Sequence, residues 1–243
     1  MKKMKLLEVE YDNLTFDEAL VQVLDFAKLE KKTNVFFLNA DCLYKAQKDL
    51  EYREILNQAD LLLSDGIGLK IATRIFGGRM KDNCNGTDLS PRIIEKAAEL
   101  GIKIFFLGGK EGVALKAADQ AKNMFPKLQI AGAVSGYFND LDSVIDQINN
   151  SGAQILFVAM GAPIQEKWIV RNRQRLNPKI CLGVGAFLDY LSASIPRAPV
   201  WMRRIHLEWF WRIFIDPKRM FKRYFIDGFL FVLFVIYKRV GAK

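Results

Sequence analysis

Six short runs in this chain are apolar on both faces: NVFFL (34–38), DLLLS (60–64), IKIFFLG (102–108), LQIAGA (128–133), AQILFVAM (153–160) and KICLGVG (179–185). A strand with one wet face alternates apolar and polar residues, so unbroken runs of this kind need cover on both sides. The segments between them carry helical apolar spacing, and strands alternating with helices put that cover on both faces of a mostly parallel sheet. LTFDEALVQVLDFAKLEKK begins with Thr15 and Glu18 in the capping-box relation and predicts a helix over about 16–31. The expected fold is therefore α/β, a Rossmann-like sheet between two helical layers. No internal repeat, low-complexity tract or linker appears before residue 196.

Ligands of open α/β sheets bind outside the carboxyl ends of the strands, so the residues after each run face one crevice. These are Asn39, Ala40 and Asp41; Asp65, Gly66 and Gly68; Gly108 and Gly109; Gly136 and Tyr137; Gly161, Ala162, Pro163 and Gln165; and Gly183, Gly185 and Ala186. Glycine permits close backbone approach, and helix N-termini present N–H groups suited to phosphate. The crevice has the composition of a nucleotide site. Asp65, where LLLS meets the helical spacing of 66–76, reads either as the N-cap of that helix or as a functional carboxylate, and the two roles can coexist. The company of Asn39 and Asp41 raises the functional reading.

Other motifs say less alone. LGGKEGVA (107–114) resembles a phosphate-binding turn but lacks the G-x-G-x-x-G order and the Walker lysine, which disfavours a Rossmann oxidoreductase and leaves a plain strand-to-helix turn equally open. In MGAPIQEKW (160–168), Pro163 suits a first helical turn, and the Gln165 amide is placed to read a base or sugar hydroxyl. The D-x-D of NDLDS (139–143) reads as a metal motif or as acids opening a helix at about 142–150, the latter favoured by the helix dipole. His206 has no Cys or His partner for zinc, and no Ser/His/Asp or Cys/His system assembles. Cys42, Cys84 and Cys181 are far apart and odd in number, as expected in a reduced, cytosolic setting. MKKMKLLEVEYDN lacks the apolar run of a secretory signal.

The basic character belongs to one end. Residues 197–243 hold 11 Lys/Arg against 3 Asp/Glu, eight of the nine net positive charges, and three of the four tryptophans. Arg204, Glu208 and Arg212 follow the i, i+4 spacing of a surface ion-pair ladder on one helix. Asp216-Pro217 reads as the start of another helix, carrying Arg219, Lys222 and Arg223 to one side. Cations beside Trp, Phe and Tyr suit an interfacial helix on anionic lipid, and the same cations could reach a diphosphate. FIDGFLFVLFVIY (225–237) is shorter than the roughly 20 residues of a spanning helix and is expected to lie on a bilayer. Nucleic-acid binding is a weaker reading, because the charge adjoins a long apolar run rather than a broad face. The division expected is an α/β catalytic domain over 1–196 and a membrane-associating helical appendage over 197–243.

LNAD (38–41), SDGIGL (64–69), NGTD (85–88), GYF (136–138), FVAMGAPIQEKWI (157–169), GVGAFLDYLSASIPRAP (183–199) and LEWFWRIFIDPKR (207–219) resemble, in the same order, the WecG/TagA/CpsF glycosyltransferases, family 26. The resemblance implies an inverting, metal-independent enzyme without a cofactor. Its substrates would be a UDP-sugar donor and a polyprenyl-diphosphate-linked sugar acceptor at the cytoplasmic membrane face. Members transfer N-acetylmannosamine or its uronate for teichoic acid or enterobacterial common antigen, or serve capsules and exopolysaccharides, and some self-associate. By position, Asp65 becomes the general base with Asn39 beside it. Gln165 and the turn at Gly185 fall where the donor binds, with Asp41, Gly66, Asn83, Asp88, Gly108, Gly109, Gly136, Tyr137 and Gly161 in the substrate-binding set. Arg212, Arg219 and Lys222 match basic positions of an appendage that closes over the site. Asn83 stands where relatives usually have arginine, and Phe37 where some have threonine. One carboxylate can suffice for such a transfer, because UDP leaves readily and needs charge stabilisation more than protonation.

Overall fold

The structure, a computed structural model, describes residues 3–204, 207–217 and 228–241, with residues 203, 204, 212, 229 and 241 described by backbone alone. A hairpin of β1 (Lys3–Leu6) and β2 (Val9–Asp12) leads through α1 (Phe16–Phe26) to β3 (Thr33–Leu38). α2 (Ala40–Lys48) and α3 (Leu50–Asn57) precede β4 (Leu61–Ser64); α4 (Gly66–Ile75) and α5 (Gly86–Leu100) precede β5 (Lys103–Gly108). Then come α6 (Val113–Met124), β6 (Gln129–Val134), α7 (Leu141–Asn150), β7 (Ile155–Ala159), α8 (Ile164–Asn172) and β8 (Ile180–Gly183). The elements that remain among the described residues are helices: α9 (Phe187–Leu191), α10 (Val200–Arg204), α11 (Glu208–Ile215) and α12 (Gly228–Gly241).

The sheet order is β1-β2-β4-β3-β8-β7-β5-β6, and every pair except the β1–β2 hairpin is parallel. Alternate residues of each central strand enter opposite layers, which is why the runs are apolar throughout. Val35, Phe37, Leu61 and Phe157 pack with α1, α5, α6 and α9, whereas Phe36, Leu38, Leu62 and Leu156 pack with α2, α3, α4, α7, α8 and α12. The connection from β5 runs outward to β6 while that from its neighbour β7 runs inward to β8. This divergence opens a crevice at their carboxyl ends.

Two expectations change, and one element, the first hairpin, was not anticipated. The β1–β2 hairpin carries no sequence signal for its turn: Leu6 pairs with Val9, so Leu7 and Glu8 make a two-residue loop, and Leu7 takes φ 55°. Bulky residues rarely adopt that conformation, and turn chemistry would place Asn or Gly there. α1 ends at Phe26 rather than near 31, because Leu29 and residues 30–32 are exposed and no further apolar face exists to hold another turn. Arg204 closes α10 and Glu208 opens α11, with Leu207 non-helical between them, so the ion-pair ladder does not lie on one helix. Glu208 instead reaches Arg197, 3.7 Å away. Arg212 lies on α11, Pro217 is helical, and His206, Arg219, Lys222 and Arg223 lie outside the described residues.

α12 packs against α2 and α4. Phe231 and Val235 are buried in that layer, and Tyr44 of α2 meets the rings of Phe231 and Phe234 edge-on at 6.4 and 6.0 Å. Its opposite side exposes Leu230, Leu233, Ile236, Tyr237 and Val240. No helix among the described residues is long and apolar enough to cross a membrane.

Candidate active site

The neighbouring strands β3 and β4 end in register, Leu38 opposite Ser64, so Asn39 and Asp65 leave the sheet at the same level. The Asp65 N–H donates to Leu38 O at 2.9 Å. Each residue begins a helix, and the two helices converge because Gly68 has no side chain: a Cβ there would stand 2.7 Å from that of Ala40. Asn39 caps α2, its Oδ1 accepting the Cys42 N–H at 2.9 Å, and this orients its amide so that Nδ2 faces Asp65 Oδ2 at 3.4 Å. Asp65 occupies the N-cap position of α4, but its carboxylate makes no capping bond. Asn83 supplies it from another loop, its Oδ1 accepting the Gly66 N–H at 2.7 Å. A cavity of about 180 Å³ adjoins this point, lined by Gly66, Ile67, Lys70, Met80, Lys81, Asp82 and Asn83. Asp41 pairs with Lys45 at 3.0 Å, and Lys45 also donates to Ala162 O at 3.0 Å, linking α2 to the turn after β7.

That turn and its neighbours form the second half of the site. Gly109 donates to Ala159 O at 3.0 Å and Gly136 to Gly109 O at 2.9 Å, which joins the ends of β5, β6 and β7. Gly108 is required by this closeness, since a Cβ would fall 2.3 Å from the Ala159 carbonyl oxygen. Tyr137 projects into solvent, 76% exposed. Gln165 is buried. Its Oε1 accepts both the Gly161 N–H (3.1 Å) and the Gly185 N–H (2.9 Å), and its Nε2 donates to Glu166 Oε1 at 2.7 Å. The Gln165 amide is thus engaged within the protein, tying the turns after β7 and β8 together. Pro163, after a cis peptide bond, is the N-cap of α8.

The remaining candidates have structural partners. Asp88 accepts from Asn85 Nδ2 at 2.7 Å and from Arg197, so the NGTD loop is tied to the chain leading into α10. The ring of Phe37 packs beneath Gly86 at the start of α5. In the D-x-D, Asp140 caps α7 through the Ser143 N–H at 3.0 Å, and Asp142 pairs with Arg175. Among the described residues no three His, Cys, Asp or Glu side chains group in a way that would hold a metal ion. Burial pushes the thiols of Cys42 and Cys84 up to about 12 and that of Cys181 to about 11, so none is a nucleophile at neutral pH.

The Glycosyl transferase WecG/TagA/CpsF family model matches residues 4–243. The chain belongs to this family. It is 33% identical over 183 residues, 75% of its length, to an N-acetylglucosaminyldiphosphoundecaprenol N-acetyl-beta-D-mannosaminyltransferase of Bacillus subtilis, covering 71% of that protein. It is 30% identical to the enzyme of the same name from Bacillus spizizenii, over 83% of this chain and 79% of the relative. For the Staphylococcus aureus enzyme of that name the figures are 27%, 90% and 87%.

Sequence reasoning about this glycosyltransferase passed over three residues that the structure brings to the site. Nothing local in the sequence marks Lys45 or Arg197, whose partners lie 117 and 109 positions away. Glu166 was legible in principle: it follows Gln165 in the first turn of α8 and falls on that helix's buried face, where a carboxylate needs a reason to be.

Proposed function

We propose that the protein transfers N-acetylmannosamine from a UDP donor to a polyprenyl-diphosphate-linked N-acetylglucosamine, inverting the anomeric centre without a metal ion, in the synthesis of a cell-surface polysaccharide. The relatives' shared name supports the sugar and the acceptor. The observation that carries the chemistry is Asp65: a strand-end carboxylate whose neighbour Gly66 lines the cavity, relieved of capping by Asn83 and faced by the Asn39 amide.

In this reading the acceptor hydroxyl oxygen attacks the anomeric carbon from the face opposite UDP. Asp65 takes the hydroxyl proton as the new C–O bond forms, and the bond to the β-phosphate oxygen breaks with its electrons going to UDP. The glycine turns at 108–109, 136, 161 and 185 offer backbone N–H groups and close approach for the donor's diphosphate. Gln165 and Asn83 act by holding those turns and the α4 N-terminus rather than by touching the sugar. The tail over 197–243, through Arg212, Arg219 and Lys222, neutralises charge on the diphosphate as UDP leaves, and the exposed apolar row of α12 rests on anionic lipid at the cytoplasmic face. Metal independence is supported by the D-x-D, whose carboxylates cap α7 and pair with Arg175.

The test is to incubate purified protein with a panel of UDP-sugars and a short-chain polyprenyl-diphosphate N-acetylglucosamine, with and without EDTA, and follow product mass. Gain of one N-acetylhexosamine from UDP-N-acetylmannosamine, unaffected by chelation, is the expected outcome. Transfer from another donor alone would overturn the sugar assignment, and loss with EDTA the metal independence.

A further inference from the structure

Glu166 is the one carboxylate in this half of the molecule that is almost fully enclosed, 1% exposed, with no lysine or arginine within ion-pair distance among the described residues. One of its oxygens accepts from Gln165; the other, Oε2, meets no hydrogen-bond donor among the described residues. Around it stand Lys45 and Cys42 of α2 and Tyr52 of α3. A carboxylate held this way is costly, and a structural role would be served as well by an apolar residue.

Hydrogen-bond logic identifies what it does. The Gln165 atom lying near the N–H groups of Gly161 and Gly185 must be the oxygen, because two donors can be met only by an acceptor. The amide nitrogen then points to Glu166. Were the amide reversed, its NH2 would confront two N–H groups and both turns would lose their bond. An acceptor on the far side holds it in register.

We propose that Glu166 is a positioning residue for the donor site: by accepting from Gln165 Nε2 it fixes the amide so that a single oxygen clamps together the turns after β7 and β8. The inference rests on the reading above, in which those turns hold the nucleotide sugar. Burial, which pushes the Glu166 carboxyl up to about 7, leaves the clamp intact in both protonation states, since the neutral acid keeps a carbonyl oxygen that accepts. Ionisation strengthens the bond.

The test uses the full chain and two readouts. The first needs no substrate: backbone hydrogen exchange at Gly161 and Gly185. Glu166→Leu removes the acceptor, and exchange at both glycines is expected to quicken roughly tenfold or more, the factor carried by a hydrogen bond to a charged group. Gln165→Glu sets two carboxylates face to face and is expected to do the same once the pH is high enough to ionise both, whereas at lower pH a protonated Glu166 donates to the new carboxylate and the protection is kept. Gln165→Glu combined with Glu166→Gln reverses the polarity, so that a carboxylate accepts from both glycines and an amide donates to it, and is expected to recover most of the protection. The second readout is transfer. Glu166→Leu should raise KM for the UDP-sugar about tenfold with a smaller loss of kcat, because the turns hold donor and transition state alike. Unchanged exchange in Glu166→Leu, or a swapped pair no better protected than Gln165→Glu alone at a pH where both carboxylates of the latter are ionised, overturns the proposal. If Glu166→Leu does not fold, the swap decides. Quickened exchange in a protein whose wild type binds no UDP-sugar would leave the clamp standing and sink the donor reading instead.

Discussion

A carboxylate at the first position of a helix ordinarily caps it and cannot be removed without cost. Asp65 departs from that rule because Asn83 takes the Gly66 N–H in its place. Asp65→Asn is therefore expected to leave the melting temperature unchanged while turnover falls by about 10²–10⁴, the usual contribution of a general base. Asn83→Ala should lose about 1 kcal/mol of stability in denaturant unfolding, as for any lost cap. A melting temperature lowered as much by Asp65→Asn as by Asn83→Ala would return Asp65 to a capping role. Glu166 makes a second residue-scale prediction through linkage. Its pKa is pushed from 4.5 up to about 7 by burial, so the folded state binds the proton more tightly than the unfolded one. Its contribution to stability is fully present below about pH 4.5 and is lost as pH rises through about 7. Glu166→Gln, which cannot ionise, should match the wild type in acid and exceed it above pH 7 by roughly 3 kcal/mol, read from urea unfolding across that range.

At the scale of elements, the site depends on how closely two helices can begin. α2 and α4 start side by side because Gly68 meets Ala40 without a side chain. An alanine in a helix interior normally gains up to about 1 kcal/mol over glycine. Gly68→Ala is expected to reverse that sign and lose about 1–3 kcal/mol, because the new methyl must push α4 from α2. The same displacement parts Asn39 from Asp65, so activity should fall with stability. Adding Ala40→Gly clears the contact and should restore part of both, measured by unfolding and by transfer in parallel. Independent loss of both in the double variant would show that the helices do not meet there.

For the whole molecule, the question is whether the C-terminal segment is an attachment or part of the core. Phe231 and Val235 of α12 are buried against α2 and α4, while Leu230, Leu233 and Tyr237 face outward. A chain ending at residue 227 should lose about 3–6 kcal/mol, from about 1.5–3 kcal/mol for each buried side chain. Serine at the three outward positions should leave unfolding unaltered and weaken flotation with anionic liposomes. Flotation undiminished by those changes would remove α12 from the lipid surface.

Much of this was readable from the amino acids alone. Runs such as NVFFL and AQILFVAM are apolar on both faces, and a chain can hide both faces of a strand only between two layers, so the covered parallel sheet and the strand-end crevice follow from local composition. The placement of Asp65 and Asn39 at adjoining strand ends was legible for the same reason, since a strand's end is a position along the chain. What only the tertiary structure decided is which side chain satisfies which group. That Asn83 rather than Asp65 caps α4, that the Gln165 amide is consumed by two glycine turns, and that Lys45 and Arg197 reach the turn after β7 and the NGTD loop are outcomes of competition among distant groups. Hydrogen bonds and close contacts act over a few ångströms, and partners such as Asn83 and Gly66, Gln165 and Gly185, or Lys45 and Ala162 lie 17, 20 and 117 positions apart, so local pattern carries no record of the winner.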